Sequence, residues 1–409
     1  LCLYFLYAID HNTFVSSYLD LDKNTNTLAV ILLLITSYFI SLLFLKSSKL
    51  RMLGLLFIPL IFVGEILYIV GNSSKERDNL RADVITTGGF YYDESKDFIK
   101  RLQKDDSGFY RIEKSSPTVH FNDALAQGYF GLKSYNSFNS LAYVTALDAF
   151  DIDYHHKTQG SSYITGLNNR YILESLLSVK YYLQMLGSET PISPSYSALA
   201  EGEKYLLFAN DLFLPLGVFF DKYITENDTL KFPPEMRDLI ALKAAIIDED
   251  LNSSIPVKKL DNGMLKNINQ IYESGYFSSE TLQFVRENIA YLKEHAMTLD
   301  YFSQNLIIGS IDVNRPGILF LSIPKESGWK FTVNGKETTP LTTHFGFYGL
   351  MIESGSHTIE MTYFTPYLQT GFFITLCCIS IFILLLISER ISPSFYQSLR
   401  LPQLNNEYI

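Results

Sequence analysis

The sequence has very few cysteines, and their positions exclude one way of stabilising the fold. Of 409 residues only three are cysteine, namely Cys2, Cys377 and Cys378. All three lie in apolar segments, and none occurs between residues 72 and 368. This large region therefore cannot depend on disulfides or on a metal ion held by thiolates. A region of roughly 300 residues can bury an ample core without such cross-links.

Positive charge is also scarce. Lys and Arg together number 33 against 43 Asp and Glu, which gives a net charge of −10 at pH 7. A surface that binds nucleic acid must neutralise phosphates with basic side chains, so we expect no nucleic acid partner. Charged residues make up only 19% of the chain, and the mean hydropathy is slightly positive. This composition predicts a large water-facing part together with a few membrane spans.

Several common catalytic motifs are absent. The sequence has no phosphate-binding glycine loop that ends in Lys-Ser or Lys-Thr, no Gly-x-Ser-x-Gly elbow and no His-Glu-x-x-His. A nucleotide-driven machine or a hydrolase of these types therefore has no support from the sequence. No internal repeat is present either, which argues against a repeat architecture.

Long apolar runs are what the sequence does contain. Residues 28–45, 52–70 and 369–388 form runs that approach the ~20 residues needed to cross a bilayer. Residues 1–71 are predicted as a membrane region. The chain begins with Leu and its first nine residues resemble the end of a span, so we expect it to be the C-terminal part of a longer protein.

One ionisable residue lies inside the second apolar run. Glu65 is about six residues from the external end of this run, close enough for its carboxylate to reach water. Ionisable groups in membrane spans are costly and often functional, so both an interfacial and a functional role are open for Glu65.

A short basic loop sets the expected orientation. Lys46, Lys49 and Arg51 lie within six residues, with no acidic residue among them. Basic residues in short loops stay in the cytoplasm. The sequence therefore predicts a multi-pass topology in which residues 72–367 are extracytoplasmic and the tail, residues 389–409, is cytoplasmic.

The region between the membrane segments is predicted as a large α+β region. Residues 72–230 mix short helical and strand-like patterns, which indicates an α/β unit. Residues 231–368 begin with a helix that Pro233-Pro234 is expected to open and that is expected to run to Asp248. Short strands separated by Gly, Pro and Asn follow, a pattern typical of a β-sandwich-like module.

The best-defined strands of this module surround a hairpin turn. Trp329, Phe331 and Val333 alternate with polar residues, the period of a half-buried strand. The pair Asn334-Gly335 follows directly, and both residue types tolerate the positive φ angles of a two-residue turn. We therefore expect a β-hairpin here.

An aromatic and amide-rich segment is the candidate carbohydrate site. Between residues 128 and 140 lie Tyr129, Tyr135, Asn136 and Asn139. Aromatic faces suit sugar rings, and side-chain amides suit sugar hydroxyls. The same composition also occurs in ordinary packed loops, so both interpretations stay open.

A cluster of acids and histidines is the candidate metal site. Asp151 and Asp153 alternate with apolar residues and are followed by His155 and His156. Asp-x-Asp can hold a divalent metal ion, and imidazoles can complete its coordination. Such a pattern also arises by chance in exposed loops, and no second cluster with metal-ligand spacing accompanies it. A divalent metal ion is therefore a candidate cofactor only.

Several stretches of the chain resemble the YfhO family of bacterial polytopic membrane proteins, and they occur in the family's order. The strongest are Asn305-Leu-Ile-Ile-Gly-Ser, Leu319-Phe-Leu-Ser-Ile-Pro, Gly328-Trp329-Lys330 with Val333-Asn334-Gly335-Lys336, and Gly355-Ser-His357-Thr-Ile-Glu, followed by Tyr363 and Pro366 before the final span. Weaker matches are Phe109-Tyr110-Arg111-Ile112, residues 131–140, residues 176–182 and Leu214-Pro215-Leu216-Gly217.

The resemblance implies a membrane glycosyltransferase of the GT-C-like type in the bacterial cell membrane, surrounded by membrane lipid. Such an enzyme takes a sugar from a polyprenyl-phosphate carrier, its donor substrate, and passes it to a cell-surface polymer such as lipoteichoic acid. The catalytic acid of such enzymes lies in an early external loop, which a C-terminal part would not contain. No residue of this chain is therefore assigned a catalytic role.

Two other functions remain open from the sequence. The chain could be a non-catalytic, membrane-anchored protein of the cell envelope that binds carbohydrate or a partner protein. A transporter would rest only on Glu65 and on membrane spans outside this sequence.

Overall fold

The computed structural model describes residues 25–47, 49–75, 93–115, 122–153, 163–188, 193–251 and 256–391. The chain divides into two compact units, Leu1–Ala82 and Asp83–Ile409.

The first unit contains a pair of helices, α1 (Thr25–Lys46) and α2 (Arg51–Lys75), that pack against each other. The rings of Phe44 and Phe57 meet edge to face, with their centroids 6.5 Å apart. Tyr38 of α1 donates a hydrogen bond of 3.2 Å from its hydroxyl to the carboxylate of Glu65 on α2. The ionisable group in this apolar run therefore has a polar partner on the neighbouring helix, which lowers the cost of placing it there.

Two apolar helical segments among the described residues are long enough to cross a bilayer, Arg51–Tyr68 and Leu368–Ile387. Nearly all of their side chains are exposed, whereas the core helix of a soluble protein buries its apolar face. The second segment belongs to the helix that ends the described chain, Leu368–Ile391. In α1 the apolar stretch Leu33–Lys46 is shorter, so the span expected at residues 28–45 stays a prediction.

The second unit begins with a four-stranded sheet. Its elements are α3 (Ser95–Asp105), β1 (Arg111–Lys114), α4 (Asp123–Gln127), β2 (Ser134–Tyr135), α5 (Leu141–Ala149), β3 (Tyr163–Ile164), α6 (Tyr171–Leu176), β4 (Val179–Met185), β5 (Tyr196–Glu201) and β6 (Tyr205–Asn210). The strand order is β1-β4-β6-β5, in which only the β1–β4 pair is parallel, while β2 and β3 pair separately. The apolar face of α3, formed by Phe98, Ile99 and Leu102, packs in the core of this sheet.

The rest of the second unit contains two larger sheets. Their elements are β7 (Gly217–Phe220), β8 (Lys222–Thr225), α7 (Glu226–Thr229), α8 (Pro234–Lys243), β9 (Ala245–Ile247), β10 (Lys258–Lys259), α9 (Asn262–Glu273), α10 (Ser279–Glu294), β11 (Thr298–Phe302), β12 (Leu306–Val313), β13 (Gly317–Pro324), β14 (Trp329–Val333), β15 (Lys336–Thr338), β16 (Leu341–Thr343), β17 (Phe347–Ile352), β18 (Gly355–Tyr363) and α11 (Leu368–Ile391). The strand orders are β10-β8-β9-β16-β17-β13-β7 and β11-β12-β18-β14-β15.

Strand β13 lies between two hydrophobic cores. Ile318 and Phe320 point into a core that also contains residues of α8, α9 and α10. Leu319 and Leu321 point the other way, into a core shared with the five-stranded sheet. Burial on both faces explains why this strand is apolar throughout and does not alternate. The second unit is thus a mixed α+β structure, and its finer description as β-sandwich-like stays a prediction.

The seven-stranded sheet includes strands from distant parts of the chain. Strands β7 and β8 precede residue 231, and β7 pairs with β13 in register Phe220 to Ile318. The sheet therefore crosses the boundary predicted between residues 230 and 231.

The prediction of a helix opened by Pro233-Pro234 and running to Asp248 is wrong at the C-terminal end. The helix ends at Lys243, Ala244 is extended, and Ala245–Ile247 form β9 between β8 and β16. A short apolar segment has the same composition in a buried helix and in a buried strand, so periodicity alone did not separate them. The predicted hairpin is confirmed, with φ of 53° at Asn334 and 74° at Gly335.

Candidate functional site

The candidate site is a cleft of about 440 Å³ in the second unit, where the segment before β1 meets β11. We call it the aromatic cleft after the six aromatic residues in its lining, which are Phe109, Tyr110, Tyr129, Phe130, Tyr301 and Phe302. Polar residues complete the lining, including the carboxylates Asp106 and Asp300 and the amide Gln103.

Three phenylalanine rings from distant parts of the sequence fix one wall of the cleft. The ring centroids of Phe109 and Phe302 are 4.8 Å apart, those of Phe109 and Phe130 are 5.2 Å apart, and those of Phe130 and Phe302 are 5.4 Å apart. These separations are typical of favourable aromatic pairs. Since 47% of Phe130 remains exposed, the wall still presents an aromatic surface to solvent.

Asp106 supplies a fixed negative charge. Its carboxylate accepts hydrogen bonds from Lys180 Nζ at 2.5 Å, Tyr181 Oη at 2.9 Å and the Gly108 amide at 3.2 Å. Partial burial raises the pKa of this carboxyl, but the hydrogen bonds from Lys180, Tyr181 and Gly108 outweigh it and hold the pKa below its ordinary value. Asp106 is therefore suited to accept hydrogen bonds and not to donate a proton at neutral pH.

Tyr110 supplies a neutral hydroxyl. Its ring is buried and meets Tyr181 edge to face, with centroids 5.0 Å apart. Burial, and then the charge of Asp106, raise the pKa of Tyr110 to about 12, so the phenol keeps its proton. Its hydroxyl makes no hydrogen bond to any residue that the structure describes. Buried polar groups are nearly always partnered, so this hydroxyl is a candidate donor to a bound ligand.

Strand β11 contributes Phe302 to the phenylalanine wall and also supplies the lining residues Leu299, Asp300 and Tyr301. It is an edge strand of the five-stranded sheet, and its register with β12 shifts between Leu299 and Tyr301. Such irregularities redirect side chains and are frequent beside binding sites. Asp300 and Tyr301 are both exposed there. An acidic group beside aromatic faces suits an uncharged ligand rich in hydroxyls, because carboxylates only accept hydrogen bonds.

The structure places one of the predicted carbohydrate residues in the cleft. Tyr129 lines it, whereas Tyr135, Asn136 and Asn139 are not among its lining residues. Tyr135 stacks on Tyr163 with centroids 4.5 Å apart.

The two asparagines accept hydrogen bonds from residues close to them in the sequence. Asn136 accepts a hydrogen bond of 3.0 Å from the amide of Phe138, and Asn139 accepts one of 2.7 Å from Ser134 Oγ. For Tyr135, Asn136 and Asn139, sugar contact stays a prediction.

The predicted metal site is described only in part. Asp151 and Asp153 are exposed on either side of the buried Ile152. His155 and His156 lie outside the described residues. Within the described ranges, no three or more His, Cys, Asp or Glu side chains are grouped in a way that could hold a metal ion. Metal binding at Asp151 and Asp153 therefore stays a prediction.

Sequence reasoning did not find the carboxylates of the cleft. Asp106 follows the end of α3, and Asp300 lies in the middle of an edge strand, so neither belongs to a local motif. The available signal was the pair of aromatic doublets, Phe109-Tyr110 and Tyr301-Phe302, each within a few residues of an aspartate. Only the fold shows that these doublets face one cleft.

Comparison with known proteins gives consistent matches. The family described as "Bacterial membrane protein YfhO" matches residues 1–264 and 264–375. The chain is also similar to the "Uncharacterized protein YfhO" of Bacillus subtilis (strain 168), with 22% identity over 456 aligned positions that cover 88% of this chain and 53% of that protein. The chain thus spans about half the length of this curated relative. No solved structure gives a significant match.

The family match covers most of the chain, and the structure contains apolar helices together with mixed sheets. The protein is therefore a membrane-associated α+β protein, and it belongs to the YfhO family of bacterial membrane proteins.

Proposed function

We propose that this chain is the C-terminal part of a polytopic membrane glycosyltransferase. It would act on a sugar carried by polyprenyl phosphate and transfer that sugar to a cell-surface polymer such as lipoteichoic acid. The membership in the YfhO family supports the proposal, as do the apolar helices on both sides of the α+β region in the sequence. The observation that carries it is the aromatic cleft, whose chemistry fits a sugar.

In this proposal the cleft holds the sugar portion of the acceptor. The faces of Phe130 and Tyr301 cover the ring, Asp300 accepts hydrogen bonds from sugar hydroxyls, and Tyr110 donates one. Asp106 is paired with Lys180, so the negative charge that disfavours a phosphate in the cleft is that of Asp300, because like charges repel each other. The cleft therefore selects an uncharged, hydroxylated part of the polymer. The chemical step belongs to residues that we do not assign in this chain.

The proposal includes an orientation. The second unit, from residue 93 up to the start of α11, lies outside the cell, where lipid-linked sugars are available and nucleotide sugars are not. The short basic loop between α1 and α2 supports this orientation.

A second candidate is a non-catalytic carbohydrate-binding protein of the cell envelope. The cleft favours this candidate because its aromatic wall and two carboxylates explain how a sugar would bind but not how it would be transferred. The two candidates differ in whether a sugar is transferred.

The test is a transfer assay on the full-length protein in native membranes, with a radiolabelled polyprenyl-phosphate sugar and purified acceptor polymer. We expect transfer, and we expect Asp300→Ala and Tyr110→Phe each to raise the KM for the polymer several-fold, since each loses a hydrogen bond of about 0.5–1.5 kcal/mol. Glu337→Ala, which removes an exposed carboxylate on β15, is the matched control and should leave KM unchanged.

The outcomes separate the two candidates. Polymer binding that depends on Asp300 but occurs without any sugar transfer would favour the binding protein. Transfer with a KM that neither cleft variant changes would remove the cleft from the proposal.

A further inference from the structure

A second cavity in this unit has the opposite electrostatic character. It has a volume of about 230 Å³ and lies where four segments converge: the junction of β7 and β8, the end of α8, the middle of α10 and the turn between β12 and β13. We call it the basic pocket, after its polar lining of Asp221, Lys222, Lys243, Asn288, Tyr291 and Arg315. Three cations around one carboxylate are unusual in a chain with a net charge of −10.

The single carboxylate of the pocket is shared by two of the cations. Asp221 accepts hydrogen bonds from Lys222 Nζ at 3.1 and 3.2 Å and from Arg315 Nη1 at 2.9 Å. The third cation, Lys243, donates to the uncharged amide oxygen of Asn288 at 2.9 Å. The lining therefore carries two more positive than negative charges.

Lys243 is held in an environment that is short of negative charge. Burial, and then the nearby charge of Lys222, lower the pKa of its ammonium group, against the opposing effects of Asp221 and Glu287. A ligand anion would stabilise this charged form.

Tyr291 adds an unused donor to the same pocket. Among the residues whose placement is described, its buried hydroxyl has no hydrogen-bond partner. Burial, and then the charge of Asp221, raise the pKa of this phenol, so it stays protonated and can donate. Buried hydroxyls without partners are rare in folded proteins.

The donors of the pocket define the class of ligand. Two ammonium groups, a guanidinium and a phenol donate hydrogen bonds, while Asp221 and Asn288 are already engaged as acceptors. Such a set matches an ion whose oxygens only accept hydrogen bonds, and Arg and Lys bind phosphate oxygens strongly. Phe220, Leu242 and Leu292 form the apolar floor, which strengthens electrostatic contacts by excluding water. At about 30 Å³ per water molecule, the volume accommodates a phosphate group with a few bridging waters.

We propose that the basic pocket binds an oxyanion of the phosphate class, a phosphate monoester or diester. The site is separate from the aromatic cleft and shares no lining residue with it. It does not depend on whether this protein transfers sugars. Free phosphate and the headgroup of an anionic phospholipid both offer the required chemistry.

The experiment measures how strongly a phosphate probe protects Lys243. The full chain, purified in an uncharged detergent, is labelled with an amine-acylating reagent at increasing concentrations of inorganic phosphate, and site occupancy is read by mass spectrometry. We expect phosphate to slow the labelling of Lys243 several-fold and to leave the exposed Lys231 unchanged. Chloride at the same ionic strength should protect neither lysine.

Variants link the protection to the pocket. Arg315→Gln should raise the phosphate concentration needed for half protection about tenfold, as loss of a charged hydrogen bond predicts. Tyr291→Phe keeps the ring and removes only the unpartnered hydroxyl, so it should fold normally and still weaken protection. Lys231→Gln is the matched control for loss of one positive charge outside the pocket.

A second arm identifies the source of the phosphate. The labelling is repeated with vesicles of phosphatidylglycerol or of phosphatidylcholine in place of inorganic phosphate. Protection by inorganic phosphate supports a site for a free phosphate group, and protection by phosphatidylglycerol vesicles alone supports a lipid headgroup. The proposal fails if neither probe protects Lys243, if chloride protects it equally, or if Arg315→Gln and Tyr291→Phe leave the protection unchanged.

Discussion

At the scale of single residues, Glu174 shows how burial changes the chemistry of a carboxyl group. It lies on α6, only 4% exposed, and accepts a hydrogen bond of 2.8 Å from Tyr196 Oη. Burial raises the pKa of Glu174 to about 7, and the nearby charge of Glu113 adds to this, whereas Tyr196 and Lys133 act against it. The folded protein therefore holds a proton that the unfolded chain releases at a lower pH.

This difference predicts how stability depends on pH. Between the ordinary carboxyl pKa of 4.5 and about 7, the folded state binds the proton and the unfolded state does not, so stability falls as the pH rises through this window. The loss levels off above about pH 7 and amounts to ~3 kcal/mol for this group. Glu174→Gln should remove this dependence and raise the unfolding midpoint at pH 8 but not at pH 4.

The measurement is the thermal unfolding midpoint of the full chain in detergent across pH 4 to 8. Glu273→Gln, an exposed position on α9, serves as the control. Equal pH profiles for Glu174→Gln and the unchanged protein would contradict the raised pKa.

At the scale of elements, strand pairing depends on a few close backbone contacts. Gly317 begins β13, beside β7. A Cβ atom at this position would overlap the carbonyl oxygen of Phe220 and the ring of Phe219. Because both neighbours belong to a buried strand, neither has room to move away.

Gly317→Ala should therefore destabilise the seven-stranded sheet by about 1–3 kcal/mol, the usual cost of overpacking. Hydrogen exchange measured by mass spectrometry should show faster exchange in peptides of β7 and β13. Gly371→Ala in α11, where no heavy atom lies within 4 Å of the added Cβ, is the control and should not increase exchange. Unchanged protection of β7 in Gly317→Ala would show that the sheet accommodates the added methyl group without loss of stability, and would contradict the prediction.

The same elements show what the sequence predicts and what it does not. The alternation around Trp329 and the Asn334-Gly335 turn are local patterns, and the structure confirms both. The end of α8 was mispredicted, because Ala245–Ile247 become a strand only through pairing with β8 and β16. Tertiary contacts decide such short apolar segments.

The candidate site was even less accessible from the sequence. Tyr129 was identified because it belongs to an aromatic loop, yet Phe109 and Phe302 are almost two hundred residues apart and touch in the structure. No local spacing encodes that contact. The basic pocket likewise joins Asp221, Lys243 and Arg315 from separate elements.

At the scale of the whole molecule, the proposed orientation makes a direct prediction. Within this chain cysteine occurs only at positions 2, 377 and 378, so three replacements by serine remove the cysteines of this part, and any cysteine elsewhere in the full-length protein is replaced as well. A single cysteine introduced at Lys266, exposed on α9, should then react with a membrane-impermeant maleimide in intact cells. A cysteine at Lys49, in the basic loop, should react only after the cells are permeabilised.

The two positions control for each other in this labelling experiment. Both are exposed lysines, so a difference in labelling reports the side of the membrane and not local burial. Labelling of Lys49→Cys in intact cells, with protection of Lys266→Cys, would reverse the proposed topology.

The connection between β18 and α11 limits how far the five-stranded sheet can lie from the last apolar helix. Only residues 364–367 separate Tyr363 of β18 from Leu368 of α11. Even a fully extended chain would place the Cα atoms of Tyr363 and Leu368 at most ~18 Å apart, since they are five residues apart in sequence. This connection cannot extend fully without losing a contact, because the amide of Phe364 donates a hydrogen bond to the carbonyl oxygen of Gly328. With α11 in the bilayer, this short connection would hold the five-stranded sheet close to the membrane surface. Under the proposed function, lipid-linked sugars would then reach the sheet by diffusion in the plane of the membrane, whereas a soluble polymer would have to diffuse to the membrane surface first.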